Sequence, residues 1–330
     1  MAAKWAMAGT GHIAGCFAQS FPLSSGGELA AVSSRSAGRA ESFAALHGIP
    51  CSYGDFGEML SAERPDIVYI ATPNDTHFRL AMQALESGCS VLCEKPMPDS
   101  MAQLEALISA AEKGGRFLME GMWTRCFPAM AQARKWLAEG RIGRVLSARA
   151  AFDVKPDPAS WQMWKTSPEH SAGALRDVGV YPAAFAMCAF PEMPERIFSS
   201  LSLRGGVDSS AQMMLRYRSG GVAFLSGSFD MKGEHGGVFM GELGRIEVGP
   251  PFWRPHSAVL VENSGARTVF DFPFESHGFQ FEITRVNECL ASGLKENPDF
   301  SWNDSRILCS ITDFVRREWG VSYPSDLNSV

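Results

Sequence analysis

The chain has 330 residues, of which 45% are hydrophobic and 20% charged, values typical of a globular protein with one or two domains. Its formal net charge of −6 argues against nucleic acid as the main partner. No apolar run is long enough to span a membrane, and the first predicted strand leaves no room for a signal peptide before it. The eight cysteines are scattered without a CxxC motif, which predicts reduced thiols in a cytoplasmic protein and no metal site.

A glycine-rich turn follows the first predicted strand, Trp5–Ala8. The sequence Gly-Thr-Gly-His-Ile-Ala occupies positions 9–14, and an apolar-periodic run continues to about Phe21. Between a strand and a helix this G-x-G-x-x-A pattern is typical of dinucleotide binding, because the glycines allow a tight turn and the close approach of a pyrophosphate. A tight turn without a ligand is the alternative. The predicted cofactor-binding residues here are Gly9, Thr10, Gly11, His12 and Ile13.

The end of the second predicted strand, Glu28–Val32, indicates which dinucleotide binds. An NAD enzyme usually carries Asp or Glu about 20 residues after the glycines, where it binds the ribose 2′-hydroxyl. This chain has Ser33, Ser34 and Arg35 there, and Arg39 follows one helical turn later. Hydroxyls and guanidinium groups suit a 2′-phosphate, so the sequence predicts NADP(H), with an ordinary polar loop as the alternative.

Strands and helices alternate up to residue 122, which predicts a doubly wound parallel sheet. A buried strand at 67–71 ends in the sequence T-P-N-D-T-H, and the next strand ends in C-E-K-P. Lys95 thus follows a parallel strand at the edge where open α/β sheets bind ligands, although a solvated lysine at a strand end is the alternative. From these two strand ends we add Thr72, Pro73, Asn74, His77, Glu94 and Lys95 to the predicted cofactor site.

The pattern changes after Trp123. A helix is predicted over 128–139, and longer alternating strands follow, separated by glycine-rich turns. We expect a mainly antiparallel sheet with one covered face, closed by helices at 279–291 and 304–319. The predicted strands are 145–154, 195–203, 210–216, 221–231, 245–248, 259–262 and 268–272.

Four motifs occur in order along nearly the whole chain: G-T-G-H-I-A, T-P-N-D-T-H, C-E-K-P and D-V-G-V-Y-P. Together they resemble the glucose–fructose oxidoreductase/inositol dehydrogenase family. Three stretches, 91–97, 117–125 and 288–296, are most similar to its dimeric dihydrodiol dehydrogenases and NADP-linked D-xylose dehydrogenases. The resemblance implies an α/β protein with an N-terminal NADP-binding Rossmann domain at 1–122. It also implies a substrate-binding and dimerisation α/β domain at 123–330 with a large open sheet, whose closing helix packs on the first domain.

The resemblance implies that Lys95 is catalytic and that Tyr181 occupies the acid–base position. Moving a hydride from a carbinol carbon requires a group that takes the hydroxyl proton, and a lysine ammonium within about 4–6 Å lowers the pKa of a tyrosine in the required direction. Asp177 is expected to orient a substrate hydroxyl or Lys95, with an N-cap of a helix entered at Pro182 as the alternative. Ser171 and Ala172 depart from the more usual glycines of this motif.

Several aromatic residues are candidates for the substrate pocket, although core packing explains most aromatics. Flat apolar walls suit a sugar ring or a cyclohexadiene diol. Phe279 and Arg149 are further candidates for this pocket, and Arg125 joins the predicted cofactor site. The predicted substrate-binding residues are Lys95, Trp123, Phe152, Trp161, Trp164, Asp177, Tyr181 and Trp253, and Trp123 is also assigned to the cofactor.

We therefore predict an NADP(H)-dependent oxidoreductase, forming a homodimer, that acts on a vicinal diol or a sugar such as a trans-dihydrodiol or a D-xylose-like aldose. An NADPH-dependent reductase of a keto-sugar of the anhydrofructose type is the alternative within the enzymes. A non-catalytic nicotinamide-binding sensor is the alternative of another class. Such members of the family tend to lose the catalytic lysine or its partner, whereas Lys95, Asp177 and Tyr181 are all present here.

Overall fold

The computed structural model describes residues 2–157 and 163–327. The chain forms two compact units. The first runs to Trp123 and takes in Glu275–Ser305, and the second comprises Thr124–Phe274 and the chain from Arg306 onward. Among the described residues, no helix is both long enough and apolar enough to cross a membrane.

The first unit is built on a six-stranded parallel sheet with the strand order β3-β2-β1-β4-β5-β6. This confirms the predicted doubly wound sheet, and the order reverses direction between β1 and β4. The strands are β1 Ala3–Ala8, β2 Gly27–Ser33, β3 Cys51–Tyr53, β4 Ile67–Ile70, β5 Ser90–Glu94 and β6 Leu118–Gly121. The helices between them are α1 His12–Ser20, α2 Ala37–His47, α3 Phe56–Glu63, α4 His77–Glu86 and α5 Met101–Gly114.

Local sequence explains these elements. Every residue of β4 and β5 is buried, as expected for strands of a parallel sheet that is covered on both faces. Three of the helices begin at a side chain that accepts a backbone N–H of the first turn: Ser36 for α2, Asp55 for α3 and Ser100 for α5. Two of the strand ends that carry the predicted site, those of β2 and β5, are therefore followed by capped helices.

The second unit contains an eight-stranded sheet with the order β14-β13-β12-β11-β7-β10-β9-β8. All its strand pairs are antiparallel except β7 and β10, so the expected mostly antiparallel sheet is confirmed. The strands are β7 Val145–Asp153, β8 Arg196–Arg204, β9 Val207–Arg216, β10 Val222–Ser228, β11 Gly237–Gly241, β12 Gly244–Val248, β13 Ser257–Glu262 and β14 Arg267–Asp271. The remaining helices are α6 Pro128–Ala138, α7 Val180–Ala186, α8 Phe279–Ala291, α9 Trp302–Glu318 and α10 Pro324–Leu327.

The two faces of this sheet differ. Along β7, Ala148 and Ala150 are buried on the face that α7 covers, and Phe152 follows on the same face. Arg149 points to the opposite, open face, where its guanidinium lies 5.3 Å from the ring centre of Phe224. Arg149 therefore does not share a face with Phe152, and its suggested place in the substrate pocket is wrong.

Candidate functional site

The turn after β1 requires a glycine at its first position. Gly9 has a φ of +116°, and a Cβ added there would lie 2.3 Å from the carbonyl oxygen of Ala71. The N–H of Gly9 donates to the carbonyl oxygen of Ser33 over 2.9 Å. This residue therefore holds the ends of β1, β2 and β4 close together, which only a residue without a side chain permits.

The N-terminus of α1 fits a dinucleotide diphosphate. Gly11 precedes the helix in an extended conformation, no side chain caps it, and the first turn carries no acidic residue. A Cβ added to Gly11 would meet nothing within 4 Å, so the space above the helix is open. Open space at the positive end of a helix dipole, with backbone N–H groups directed into it, is a favourable site for phosphate. Around this space lie Gly9, Thr10, Gly11, His12 and Ile13.

The end of β2 lies beside this space. Ser33 is in register with Ala8, the last residue of β1. Arg35 and Arg39 are exposed, and the Ser36 side chain accepts the N–H of Arg39 as the cap of α2. Residues 33–36 contain no carboxylate. The edge next to the glycine turn thus offers hydroxyls and two cationic side chains.

His77 connects the loops that follow β4 and β5. Its imidazole is 1% exposed. Nε2 lies 2.8 Å from the carbonyl oxygen of Thr72, and Nδ1 lies 2.9 Å from that of Pro96. Because a carbonyl oxygen only accepts, both contacts are hydrogen bonds only when the ring carries both protons. His77 therefore links the two loops. The neighbouring Asn74 is also buried.

Lys95 directly follows β5, and the Lys95–Pro96 peptide is cis. The preceding Glu94 is 8% exposed, and its Oε1 accepts a hydrogen bond of 2.6 Å from the Tyr69 hydroxyl. The Tyr69 ring stacks on Phe17 with centroids 3.7 Å apart. The loop beyond is held by the N–H of Met97, which donates to Glu120 over 3.0 Å. The strand end that carries Lys95 is thus rigidly supported.

A second buried carboxyl, Glu282 of α8, lies near Glu94. It is 0% exposed, and neither of its carboxyl oxygens has a hydrogen-bond partner among the described residues. Burial, and then the charge of Glu94, raise the pKa of Glu282 well above 4.5. Glu282 is not among the residues predicted from the sequence, although its spacing from Phe279 and Val286 places it on the buried face of the helix.

In the second unit, Tyr181 and Asp177 lie on one continuous helical segment. A π-helical turn, Leu175–Gly179, carries Asp177 and leads into α7, which carries Tyr181. Such π-turns occur frequently at functional sites. Gly179 is the N-cap residue of α7 and makes no side-chain cap, so the alternative role of Asp177 as a cap is wrong. The carboxylate of Asp177 instead pairs with Lys165 at 2.8 Å, a partner that the sequence did not suggest.

An aromatic wall lies beside Tyr181. Phe152 stacks on Trp253 with centroids 3.4 Å apart and an angle of 4° between the rings. The Tyr181 ring lies 5.4 Å from Phe152. His235, also missed in the sequence, packs edge-on against Trp253 at 4.8 Å, and its Nε2 lies 2.6 Å from the carbonyl oxygen of Asp153. The second unit therefore brings a phenol, a carboxylate and flat apolar rings together.

The other predicted aromatics are distributed differently. Trp123 stacks on Phe279 with centroids 4.5 Å apart within the first unit. Arg125, in the 3-10 helix that Trp123 begins, is 4% exposed. Trp161 lies outside the described residues. Trp164 lies in the 3-10 helix Met163–Thr166, but its side chain is outside the described part of the chain.

Comparison with known proteins identifies the family. Residues 3–122 match the model of an oxidoreductase family with an NAD-binding Rossmann fold, and residues 130–247 match the GFO/IDH/MocA C-terminal domain. The trans-1,2-dihydrobenzene-1,2-diol dehydrogenase of Xenopus laevis is 32% identical to this chain, covering 98% of this chain and 100% of the relative. The human enzyme of that name is 31% identical, covering 99% of each.

Solved structures share the fold. The aldose-aldose oxidoreductase from Caulobacter crescentus has a TM-score of 0.86 at 23% identity, covering 96% of this chain and 97% of that chain. The 3-ketoreductase KijD10 from Actinomadura kijaniata, in complex with NADP and TDP-benzene, has a TM-score of 0.82 at 26% identity, covering 96% of this chain and 98% of that chain. The chain therefore belongs to the GFO/IDH/MocA family of oxidoreductases.

Proposed function

We propose that the protein is an NADP(H)-dependent oxidoreductase that transfers a hydride between the nicotinamide and a carbinol carbon of a vicinal diol or sugar. The observation that carries this proposal is the cluster of Tyr181, Asp177 and the stacked pair Phe152–Trp253 in one unit. It offers a proton carrier, a hydroxyl acceptor and a flat wall for a ring. The dihydrodiol dehydrogenase relatives support a diol as the substrate class.

The Rossmann unit indicates a nicotinamide cofactor, which supplies the hydride acceptor or donor when it is bound. The turn 9–13 would hold the diphosphate, because the space at Gly11 is open and the positive end of the α1 dipole lies there. Ser33, Ser34, Arg35 and Arg39 support NADP(H) over NAD(H), because a 2′-phosphate needs donors and positive charge. Glu94 would contribute through its backbone, since its carboxylate accepts from Tyr69. The nicotinamide half is assigned to Thr72, Pro73, Asn74, His77, Glu94, Lys95, Trp123 and Arg125.

In the oxidation direction, Tyr181 takes the proton of the substrate hydroxyl. A free tyrosine has a pKa of about 10, so its phenolate needs stabilisation by a nearby cation. We assign that role to the ammonium group of Lys95, which also bonds the substrate oxygen. Asp177, held by Lys165, accepts a hydrogen bond from the neighbouring hydroxyl of the diol. In the reduction direction, Tyr181 returns the proton to the new alkoxide.

A second candidate uses the same residues in the opposite direction. The 26% identical KijD10 is named a 3-ketoreductase, which supports reduction of a keto-sugar as the alternative. A sensor without catalysis is the remaining alternative, and the presence of Lys95, Asp177 and Tyr181 argues against it.

A hydride-transfer assay tests the proposed function. The purified protein is mixed with NADP⁺ or NAD⁺ and a panel of trans-dihydrodiols and aldoses, and with NADPH and a panel of keto-sugars, while nicotinamide absorbance is followed. We expect turnover of at least one diol or aldose with NADP⁺. Turnover of keto-sugars alone would favour the reductase. Cofactor binding without turnover in either direction would overturn the enzymatic function.

We also propose that the open face of the eight-stranded sheet binds a second copy of the chain. Phe198 and Phe224, 48% and 44% exposed, line a shallow cavity of about 870 Å³ on this face. Arg149 and Glu247 line the same cavity, so two copies related by a two-fold axis can present opposite charges to one another. Large apolar side chains on a flat, uncovered sheet face are typical of an interface. A cytoplasmic location is also proposed, because no disulfide joins cysteines in the described residues.

A further inference from the structure

A buried carboxylate lies under the turn that carries Asp177. Asp208 of β9 is 0% exposed, and its Oδ2 accepts the N–H of Leu175 over 2.5 Å. Its Oδ1 faces Gly173, where an added Cβ would lie 2.2 Å away. Gly173 has a φ of +132°, so the backbone of residues 173–175 forms a concave seat that the carboxylate fills. Leu175 is the first residue of the π-helical turn, so Asp208 places a negative charge at its N-terminal end.

Asp208 is surrounded by groups that oppose the cost of its burial. Burial raises the pKa of Asp208 to about 6, while the N–H of Leu175, the Arg176 guanidinium and the N–H of Ala174 act in the opposite direction. A fully buried carboxylate that accepts a backbone N–H of the turn contributes to the geometry of that turn. Asp208 is not among the residues predicted from the sequence.

A second side chain, from the C-terminal part of the chain, binds the segment that leads into the π-helical turn. The Tyr323 hydroxyl donates to the carbonyl oxygen of Ala172 over 3.1 Å. Two guanidinium groups lie over the Tyr323 ring, that of Arg176 at 5.1 Å and that of Arg316 at 4.8 Å from the ring centre. Arg316 makes a two-pronged ion pair with Asp326, at 2.6 and 2.8 Å, which fixes the segment beyond α9. Tyr323 is therefore itself held in place.

We propose that Asp208 and Tyr323 are positioning residues that hold residues 172–181 so that Asp177 and Tyr181 meet the substrate together. Asp208 accepts the N–H of Leu175 at the start of the π-helical turn, and Tyr323 donates to the carbonyl oxygen of Ala172, just before that turn. Neither residue contacts substrate in this scheme, and both act through the turn. The consequence for catalysis rests on the proposed function, whereas the effect on the turn itself does not.

Hydrogen–deuterium exchange of the full-length protein, in the presence of NADP⁺, tests the effect on the turn. Asp208→Asn should accelerate exchange of the peptide covering 173–181 about tenfold to a hundredfold, the factor for loss of one charge-assisted hydrogen bond. Tyr323→Phe should accelerate it about threefold to tenfold, as expected for a neutral one. Tyr323→Phe also serves as the second variant if Asp208→Asn does not fold.

Two matched controls separate this effect from general loss of packing. Asp230→Asn removes a carboxylate that accepts from Ser209 and Arg204 at the end of the same sheet and that makes no hydrogen bond to the described residues 172–181. Tyr217→Phe removes a hydroxyl that is buried but has no hydrogen-bond partner among the described residues. Both should leave exchange of 173–181 at the native rate. Equal exchange in Asp208→Asn and Asp230→Asn, with the matching equality for the two tyrosine variants, would overturn the inference.

Kinetics and cofactor binding then test the positioning role. Asp208→Asn and Tyr323→Phe should each lower kcat on the best substrate about tenfold or more, with the NADP⁺ dissociation constant within twofold of the native value. The apparent pKa of the oxidation profile should also move up toward that of free tyrosine, which a smaller folded fraction alone would not cause. Faster exchange with native kcat and pH profile would contradict positioning. A native protein without turnover would refute the proposed function, and the exchange comparison would still decide whether these residues hold the turn.

Discussion

The ammonium group of Lys165 lies 2.8 Å from Oδ2 of Asp177, and the side chains are 29% and 18% exposed. The two residues are 12 positions apart, on opposite sides of the loop that leads into the π-helical turn. A carboxylate in such a pair accepts hydrogen bonds and has a defined orientation. This agrees with the proposed function, in which Asp177 holds a substrate hydroxyl and Tyr181 transfers the proton.

Lys165 and Asp177 are expected to act on substrate binding as one unit. Lys165→Gln and Asp177→Asn should each raise KM for the substrate, and the double variant should be less than additive by about 1 kcal/mol, a factor of about five. Steady-state kinetics at saturating NADP⁺ measures this coupling. Arg144 and Glu242 form a more exposed pair, also at 2.8 Å, whose replacement by glutamine should leave KM unchanged. Strict additivity of the Lys165 and Asp177 effects would refute the prediction.

Lys95 and Tyr181 are expected to carry one proton-transfer step. Lys95→Met and Tyr181→Phe should each lower kcat by about 10²–10⁴. The double variant should be little worse, because residues that act as a unit are not additive. The native oxidation profile should rise through an apparent pKa below that of free tyrosine, since the lysine ammonium favours the phenolate. A Tyr181→Phe protein with near-native kcat would move the proton transfer to another group, with Asp177 as the next candidate.

Cofactor choice is expected to depend on Arg35. NADP(H) should bind at least about tenfold more tightly than NAD(H), because one charged hydrogen bond is worth roughly 1.5–3 kcal/mol. Arg35→Ala should remove most of that difference, as measured by fluorescence titration with both cofactors. Arg218→Ala, at an exposed arginine of the second unit, is the matched control and should preserve the difference. Equal dissociation constants for the two cofactors in the native protein would contradict this assignment.

Glu282 is expected to make the free energy of unfolding fall as pH rises. Its pKa in the folded protein lies well above 4.5, so the folded state binds more protons than the unfolded state above that pH. Glu282→Gln removes this penalty with little change in shape. The variant should gain stability relative to the native protein by up to about 1.4 kcal/mol per pH unit above 4.5. Denaturant unfolding at pH 5 and pH 8 measures the gain, and a constant difference between the two proteins would disprove the role of burial.

The proposed interface on the open face of the eight-stranded sheet predicts that the protein is a dimer in solution. Light scattering at micromolar concentration should give twice the monomer mass of 35.9 kDa. Phe224→Glu places a charge among the exposed apolar side chains and should shift the mass toward the monomer. Leu46→Glu changes an even more exposed apolar residue of the first unit and should leave the dimer intact. A native protein of monomer mass would rule out the proposed interface.

Residues with a local signal were predicted well. The glycine turn and the apolar runs of β4 and β5 depend on a few neighbouring residues, and the structure has them where the sequence indicates. The strand β11, Gly237–Gly241, was missed because glycines at its ends and its short length hide the alternation. Its place in the sheet depends on backbone pairing with β7 on one side and β12 on the other.

Residues whose role depends on distant contacts could not be predicted. Asp208 meets the N–H of Leu175 33 positions away, and Tyr323 meets the carbonyl of Ala172 151 positions away. Neither pattern is visible in a window of sequence, because the sheet and the last helix bring the partners together. Lys165 is close to Asp177 in sequence, but only the conformation of the intervening loop turns the two side chains toward each other.

The alternation of side chains along β5 decides which charge the first unit presents at its ligand edge. Glu94 is turned into the core toward Tyr69, and Lys95, one residue later, is only partly buried. The pairing of Cys93 with Ile70 of β4 fixes this parity. Because successive side chains of a strand point to opposite faces, a one-residue change in the length of β5 would shift both residues. An insertion would move Glu94 to the position of Lys95, and the edge would carry an anion. A deletion would move Lys95 to the position of Glu94, and a cation would be buried in place of the carboxylate. The charge at this edge therefore depends on the number of residues in β5 as well as on their identity.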